Sequence, residues 1–213
     1  MDTFDEGVST IDGMETPIHC VLLSFDKRTI LAKSHYHKYI EVIYCLDCKM
    51  NAMVGSTNYY LKSGDLLIVT SNMVHSIYSI APYNKYYVLK FSPDMLYASA
   101  SQQAFGNIYV KPLIKDNEEY KKHFTHSELA ESNIPNVIED IMNIWNRHSY
   151  AWEISIHEKL LCFFRLLLDV WKVNVNVSDN GNQVFSDNLK KALNSSIRYI
   201  QLNYNTVTAA EVA

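Results

Sequence analysis

Proline and glycine are distributed unevenly along this chain, and the asymmetry limits the folds open to it. All five prolines lie at or before Pro135, and five of the six glycines lie at or before Gly106. Such residues punctuate strands and turns and are kept out of helix interiors, so the first part is expected to be β-rich and the rest helical. Runs rich in Val, Ile and Tyr predict strands at Ile18–Phe25, Tyr39–Leu46, Lys49–Val54, Asn58–Leu61, Leu66–Val69, His75–Ile80, Lys85–Phe91 and Ile108–Ile114. Short strands at such close spacing suggest a sandwich or barrel, with Gly55-Ser56 and Gly64-Asp65 as turn dipeptides.

From Pro135 the pattern changes. Val137, Ile138, Ile141, Ile144 and Trp145 recur at helical steps. After Ser149-Tyr150 a second run carries Ile156, Leu160, Leu161, Phe164, Leu167, Leu168 and Trp171. The short connection predicts an antiparallel helix pair. The second helix is apolar on more than one face, which calls for the barrel on one side and another surface, such as a second copy of the chain, on the other. Residues 173–188 are rich in Asn, Asp and Ser and read as a linker. Leu189, Leu193, Ile197, Ile200 and Tyr204 mark a last helix, and Thr208-Ala-Ala-Glu211 is a capping box that announces a further one.

Composition removes several function classes. With 48% hydrophobic and 20% charged residues, a chain of 213 can bury a substantial core. A net charge of −4 argues against a free-standing nucleic-acid binder. No apolar run reaches the ~20 residues of a membrane span; the longest candidate, Leu160 to Trp171, is broken by Arg165 and Asp169. Asp2, Asp5, Glu6, Asp12 and Glu15 with no Lys or Arg are the opposite of a signal peptide, so a cytoplasmic location without membrane contact is expected. The four cysteines read as free thiols, and Cys45-Leu-Asp-Cys48 has no second pair to complete a zinc site.

The chemistry concentrates in Ser34-His35-Tyr36-His37-Lys38-Tyr39-Ile40-Glu41. His35, His37, Tyr39 and Glu41 share parity, so a continuous strand would point them to one face. With His75 downstream they make an N/O donor set suited to a divalent transition metal, with open positions left for water or substrate. The same groups could instead hydrogen-bond an organic ligand. The tyrosines Tyr36, Tyr39, Tyr44, Tyr78, Tyr86 and Tyr87 offer stacking surfaces, or simply favour strands. His123 and His126 read as surface or helix-edge residues, and His157 as a lone histidine on the second helix.

The spacing His-x-His-x3-Glu, then Gly64-x10-His75, resembles the two signature motifs of the cupin barrel. The resemblance implies a double-stranded β-helix, or jelly-roll, with His35, His37, Glu41 and His75 as metal ligands. Cys48 stands where that pattern has a glycine, and Thr70 and Asn72 stand where it has a proline and a glycine. The run from His35 to Tyr44, then Leu61-x2-Gly-Asp-Leu-Leu-Ile-Val69, Asn72-x-Val-His-Ser76 and Tyr87-Val-Leu-Lys-Phe-Ser-Pro93, is similar to the regulatory domain of AraC/XylS-type transcription factors. Ile197 to Tyr204 and Val207 to Ala213 look like the opening of that family's DNA-binding module.

The resemblance implies a division of the chain. Residues 1–15 would be a flexible acidic arm, 16–115 an effector-binding cupin-like barrel and 116–172 a helical dimerisation region. Residues 173–188 would be a linker, and 189–213 the truncated start of a helix-turn-helix domain. The expected function is a sensor without enzyme activity or an obligatory cofactor. It would bind a small-molecule effector, a carbohydrate among the candidates, form a homodimer, and contact DNA only through the helix-turn-helix part. The expected pocket is His35, His37, Tyr39, Glu41 and His75 with Tyr44 and Tyr78, and the expected interface is Leu160, Leu161, Phe164, Leu168 and Trp171. The competing readings are a metal-dependent cupin enzyme of dioxygenase or isomerase type, and a dimerising domain with no effector.

Overall fold

Alternation along the strands decides how the layers form. The computed structural model describes residues 3–11, 13–97 and 120–171, with Val110, Leu113, Ile114 and Tyr199 besides. Its strands in chain order are β1 (Phe4–Asp5), β2 (Thr10–Ile11), β3 (Met14–Glu15), β4 (Ile18–Phe25), β5 (Ile30–Tyr36) and β6 (Ile40–Asp47). They continue with β7 (Lys49–Val54), β8 (Thr57–Lys62), β9 (Leu66–Val69), β10 (His75–Ser79), β11 (Asn84–Phe91) and β12 (His123–Phe124). One five-stranded sheet has the order β1-β5-β10-β7-β8 and the other β12-β9-β6-β11-β4, while β2 and β3 form a small hairpin. All the pairings are antiparallel except that of β1 with β5. This is the cupin fold. The expected strands from Ile18 to Phe91 are present to within one residue at each end.

One expectation is corrected, and one strand had not been expected. Val110, Leu113 and Ile114 are helical rather than part of a strand at Ile108–Ile114. Val110 and Leu113 are both buried in the helix-side core, and their three-residue spacing puts them on one face only in a helix. Strand β5 escaped the pattern because Lys33 and Ser34 interrupt its apolar run.

Strand β6 is buried on both faces. Ile40, Val42 and Tyr44 face the helical layer, while Ile43 and Cys45 face the opposite sheet and pack with Met50, Ala52, Leu61, Ile77 and Tyr86. The helical layer holds α1 (His126–Leu129), α2 (Ile134–Arg147) and α3 (Trp152–Trp171). Pro135 opens α2 in the first turn, where its missing N–H costs nothing. Val137, Ile138, Ile141, Met142 and Trp145 bury one stripe, and His148 closes the helix in the left-handed region at φ 44°. Trp145 meets Trp152 with ring centroids 5.5 Å apart, and Lys159 meets Asp140 at 2.7 Å, so α2 and α3 run antiparallel as expected.

The expected interface residues divide. Leu160 and Phe164 are buried within the single chain, so they are corrected to core positions. Trp171 is half-buried and donates its indole N–H to the Lys121 carbonyl at 2.6 Å. Leu161 and Leu168 remain half-exposed. His157 is likewise committed within the chain, through the Met95 carbonyl at 2.9 Å. The linker at 173–188 and the helix-turn-helix start at 189–213 lie outside the described residues, apart from Tyr199.

The Gly64-Asp65 turn ties the helical layer to the barrel. Gly64 adopts φ +85°, and the His126 ring fills the space where a Cβ would project. Buried Asp65 accepts the Lys62 N–H at 3.0 Å, His123 Nε2–H at 3.1 Å and the His126 N–H at 2.9 Å. His123 and His126 thus anchor this turn, His126 from the exposed first position of α1, at the helix edge as expected. Asp65→Ala would strand these donors and is expected to lower stability by about 2–3 kcal/mol in urea unfolding.

Candidate metal and ligand site

Four strands bring polar residues to one end of the barrel. His35 lies near the end of β5, His75 begins β10, Glu41 is second in β6 and Lys90 is next to last in β11. His35 stands opposite His75 in one sheet, and Glu41 opposite Lys90 in the other. The segment from His35 to Glu41 is not one continuous strand. It leaves the first sheet after Tyr36 and enters the second at Ile40, so the shared parity is corrected to a crossing between sheets. The crossing still aims His37 at Glu41. It sends Tyr39 elsewhere: the Tyr39 hydroxyl donates to the Thr16 carbonyl at 3.0 Å and accepts the Ser9 N–H at 3.2 Å.

His35, His37, Glu41 and His75 are all buried, and their donor atoms lie within 4.8 Å of one another. Each ring donates Nδ1–H to a backbone carbonyl: His35 to Lys33 at 2.7 Å, His37 to Tyr39 at 3.1 Å and His75 to Met73 at 2.8 Å. Fixing one proton on Nδ1 leaves Nε2 as the inward atom. His37 Nε2 lies 2.7 Å from Glu41 Oε2. His75 Nε2 is 3.3 Å from the same oxygen but lacks the alignment of a hydrogen bond, and so is a buried polar atom without one. Three imidazole nitrogens and a carboxylate, each oriented by an outer hydrogen bond or a neighbour, fit a divalent transition metal.

The electrostatics follow from this packing. Burial pushes the Glu41 carboxyl up, but the hydrogen bond with His37 and the nearby His75 and Lys90 outweigh it and hold Glu41 well below the usual carboxylate range. Burial pushes His75 down, and Glu41 reverses this, so its pKa is raised. Burial, then His75, lowers His35. Deeper in the barrel the hydroxyl of buried Tyr86 also lacks a hydrogen-bond partner. Burial raises its pKa, so it stays protonated.

Tyr44 and Tyr78 do not join this group. Tyr44 packs on the helix-facing side of its sheet, opposite to Glu41. Tyr78 faces away from the side that His75 and Ile77 share, by alternation along β10. Cys45 and Cys48 are buried in the barrel core, where their mutual hydrogen bond and burial push the Cys45 thiol up and leave it unreactive.

Sequence reasoning missed Lys90 and Glu6. The Lys90 ammonium lies 3.9 Å from Glu41 Oε2 and 2.5 Å from Glu6 Oε2. Alternation in Tyr86-Tyr-Val-Leu-Lys90 places the lysine on the barrel's inner face with Tyr86 and Val88, a signal that was available. Nothing local marks Glu6. The described part of the expected arm folds back: Phe4 stacks on His35 with centroids 5.7 Å apart, and the Glu6 N–H bonds the Tyr36 carbonyl at 3.0 Å.

Residues 21–82 match the family described as Cupin domain, a span that contains all four clustered residues. Among solved structures, the cupin domain of Cnp3 from Schizosaccharomyces pombe is 14% identical, with a TM-score of 0.35, and the match covers 51% of this chain and 72% of that one. An RmlC-like cupin from Shewanella frigidimarina is 22% identical, with a TM-score of 0.33 and coverage of 38% and 69%. A cupin superfamily protein from Desulfitobacterium hafniense is 14% identical, with a TM-score of 0.34 and coverage of 38% and 72%. No curated protein matches the chain. Among the described residues no helix is long and apolar enough to cross a membrane.

Proposed function

We propose that this chain is the ligand-sensing and dimerising part of an AraC/XylS-type DNA-binding transcription regulator, with a small-molecule effector held in the barrel. It acts in the cytoplasm as a homodimer. The observation that carries the reading is the way the site is covered. Glu6 faces Lys90, His35 and His37 from a segment whose ladder with β5 is two residues long, Phe4 and Asp5, supplemented by the Glu6 N–H on the Tyr36 carbonyl and by Thr3 on Ser34. A cover attached as a two-residue edge strand, with Phe4 and Glu6 themselves partly exposed, can leave while the barrel stays folded. An effector that binds only the uncovered form then shifts the population toward it.

Dimerisation is assigned to α3. Ile154, Leu161 and Leu168 repeat at seven-residue intervals and so lie along one stripe, where Ile154 is 73% exposed. Leu168→Glu is expected to weaken the dimer at least about tenfold in sedimentation equilibrium, since a charge enters an apolar contact while the half-exposed position tolerates it in the monomer. An unchanged dimer would place the interface elsewhere.

The second reading is a metal-dependent cupin enzyme, favoured by the three Nδ1 anchors and the unpartnered His75 Nε2. His35, His37, Glu41 and His75 would hold the ion, which when bound supplies Lewis acidity. One screen separates the readings. Small molecules that raise the melting temperature bind the native state. Each hit is then recovered by mass spectrometry after incubation with Mn²⁺, Fe²⁺ or Ni²⁺. Recovery of unchanged ligand supports the sensor; its consumption supports the enzyme.

A further inference from the structure

We propose that Lys90, with the inward nitrogens of His35 and His37, forms a carboxylate-binding subsite in the barrel, which Glu6 occupies until an acidic ligand displaces it. The inference rests on the sensor reading of this site and adds the chemical class of its ligand.

Lys90 carries the argument. Its side chain is only 12% exposed, and an ammonium so far out of water needs an anion close by. Glu41 is 3.9 Å away, but the same oxygen of Glu41 already meets His37 at 2.7 Å and His75 at 3.3 Å. The group that satisfies Lys90 is Glu6, whose Oε2 lies 2.5 Å from the ammonium and 3.8 Å from Nε2 of both His35 and His37. One carboxylate oxygen therefore faces three barrel nitrogens from a segment that joins the sheet only as the two-residue edge strand β1. Glu6 itself is 40% exposed, and Phe4 beside it is 48% exposed.

If this segment leaves with nothing in its place, Lys90 loses its closest anion and keeps only Glu41 at 3.9 Å, whose oxygen His37 already engages. A neutral ligand that displaced Glu6 would strand the ammonium in the same way. A ligand bearing a carboxylate restores the contact, so the exchange of Glu6 for an acid keeps the charge balance of the site. The subsite thus selects for acids and couples their entry to release of the N-terminal segment.

Glu6→Gln keeps the shape of the side chain and removes its charge. The test measures binding by calorimetry of gluconate against glucose, succinate against succinamide and benzoate against benzamide, on the unaltered chain and on Glu6→Gln. At least one acid is expected to bind Glu6→Gln about tenfold more tightly than the unaltered chain, because an internal competitor at high effective concentration is gone. Its neutral partner should bind neither protein. Adding Lys90→Gln should reverse the gain and Lys90→Arg should preserve it; the arginine variant keeps the comparison usable if the glutamine variant does not fold. Equal affinity of the acids for both proteins overturns the subsite, as does a complete failure of acids to bind Glu6→Gln. Glucose binding without gluconate binding overturns it too, and leaves the ligand-binding reading intact. An acid that binds as expected but is converted to product overturns the sensor reading and leaves the subsite standing.

Discussion

Glu41→Ala is expected to cost about 3–5 kcal/mol of folding stability, because it removes the anion on which buried His37, His75 and Lys90 converge. The carboxylate is itself buried at 3% exposure, so water cannot take its place without the barrel end opening. For a chain of this size about 1 kcal/mol moves the melting temperature by roughly 2–4 °C, so the midpoint should fall by roughly 6–20 °C. Glu41→Gln keeps a carbonyl acceptor for His37 and should lose less. Urea unfolding of the three proteins side by side checks the order. A loss below about 1 kcal/mol for the alanine variant would mean that the histidines stand neutral and need no anion. The same variant removes the one oxygen donor of the clustered set, so any stabilisation by added Mn²⁺ or Ni²⁺ should disappear with it.

The helical layer supplies the second large effect. Phe163 is 1% exposed and lies in the core that α2, α3 and the outer face of β6 share. Phe163→Ala leaves a cavity there and is expected to cost about 3–5 kcal/mol. Ile154 on the same helix is 73% exposed, and Ile154→Ala should change monomer stability by less than about 0.5 kcal/mol. Denaturant unfolding at low protein concentration measures both in the monomer. Repeating it at high concentration reports whether Ile154 gains a partner surface, because a dimer's stability rises with concentration. A small loss for Phe163→Ala would show that α3 adds little to the core.

Much of this arrangement was legible from local pattern. Runs rich in Val, Ile and Tyr, such as Tyr39–Leu46, locate the strands because such side chains fit a pleated, half-buried surface. The stripe from Val137 to Trp145 locates α2 for the corresponding helical reason. Residues His35, His37, Glu41 and His75 do come together, but not by the route that parity suggested. His35 and His75 stand in one sheet and Glu41 in the other, and the residues between His35 and Glu41 cross the gap.

What the sequence by itself determined was therefore the order and periodicity of the elements and the donor types available at the barrel end. Only the tertiary structure decided which face of each element is covered, and by what. It made Leu160 and Phe164 core residues of one chain, turned Tyr44 toward the helices, and drew Val110 and Leu113 into a helical backbone. It also set Glu6 against Lys90, 84 positions away. Periodicity is a property of neighbouring residues along one element. Burial and charge pairing depend on groups that become neighbours only when distant segments pack, and no local window contains both partners.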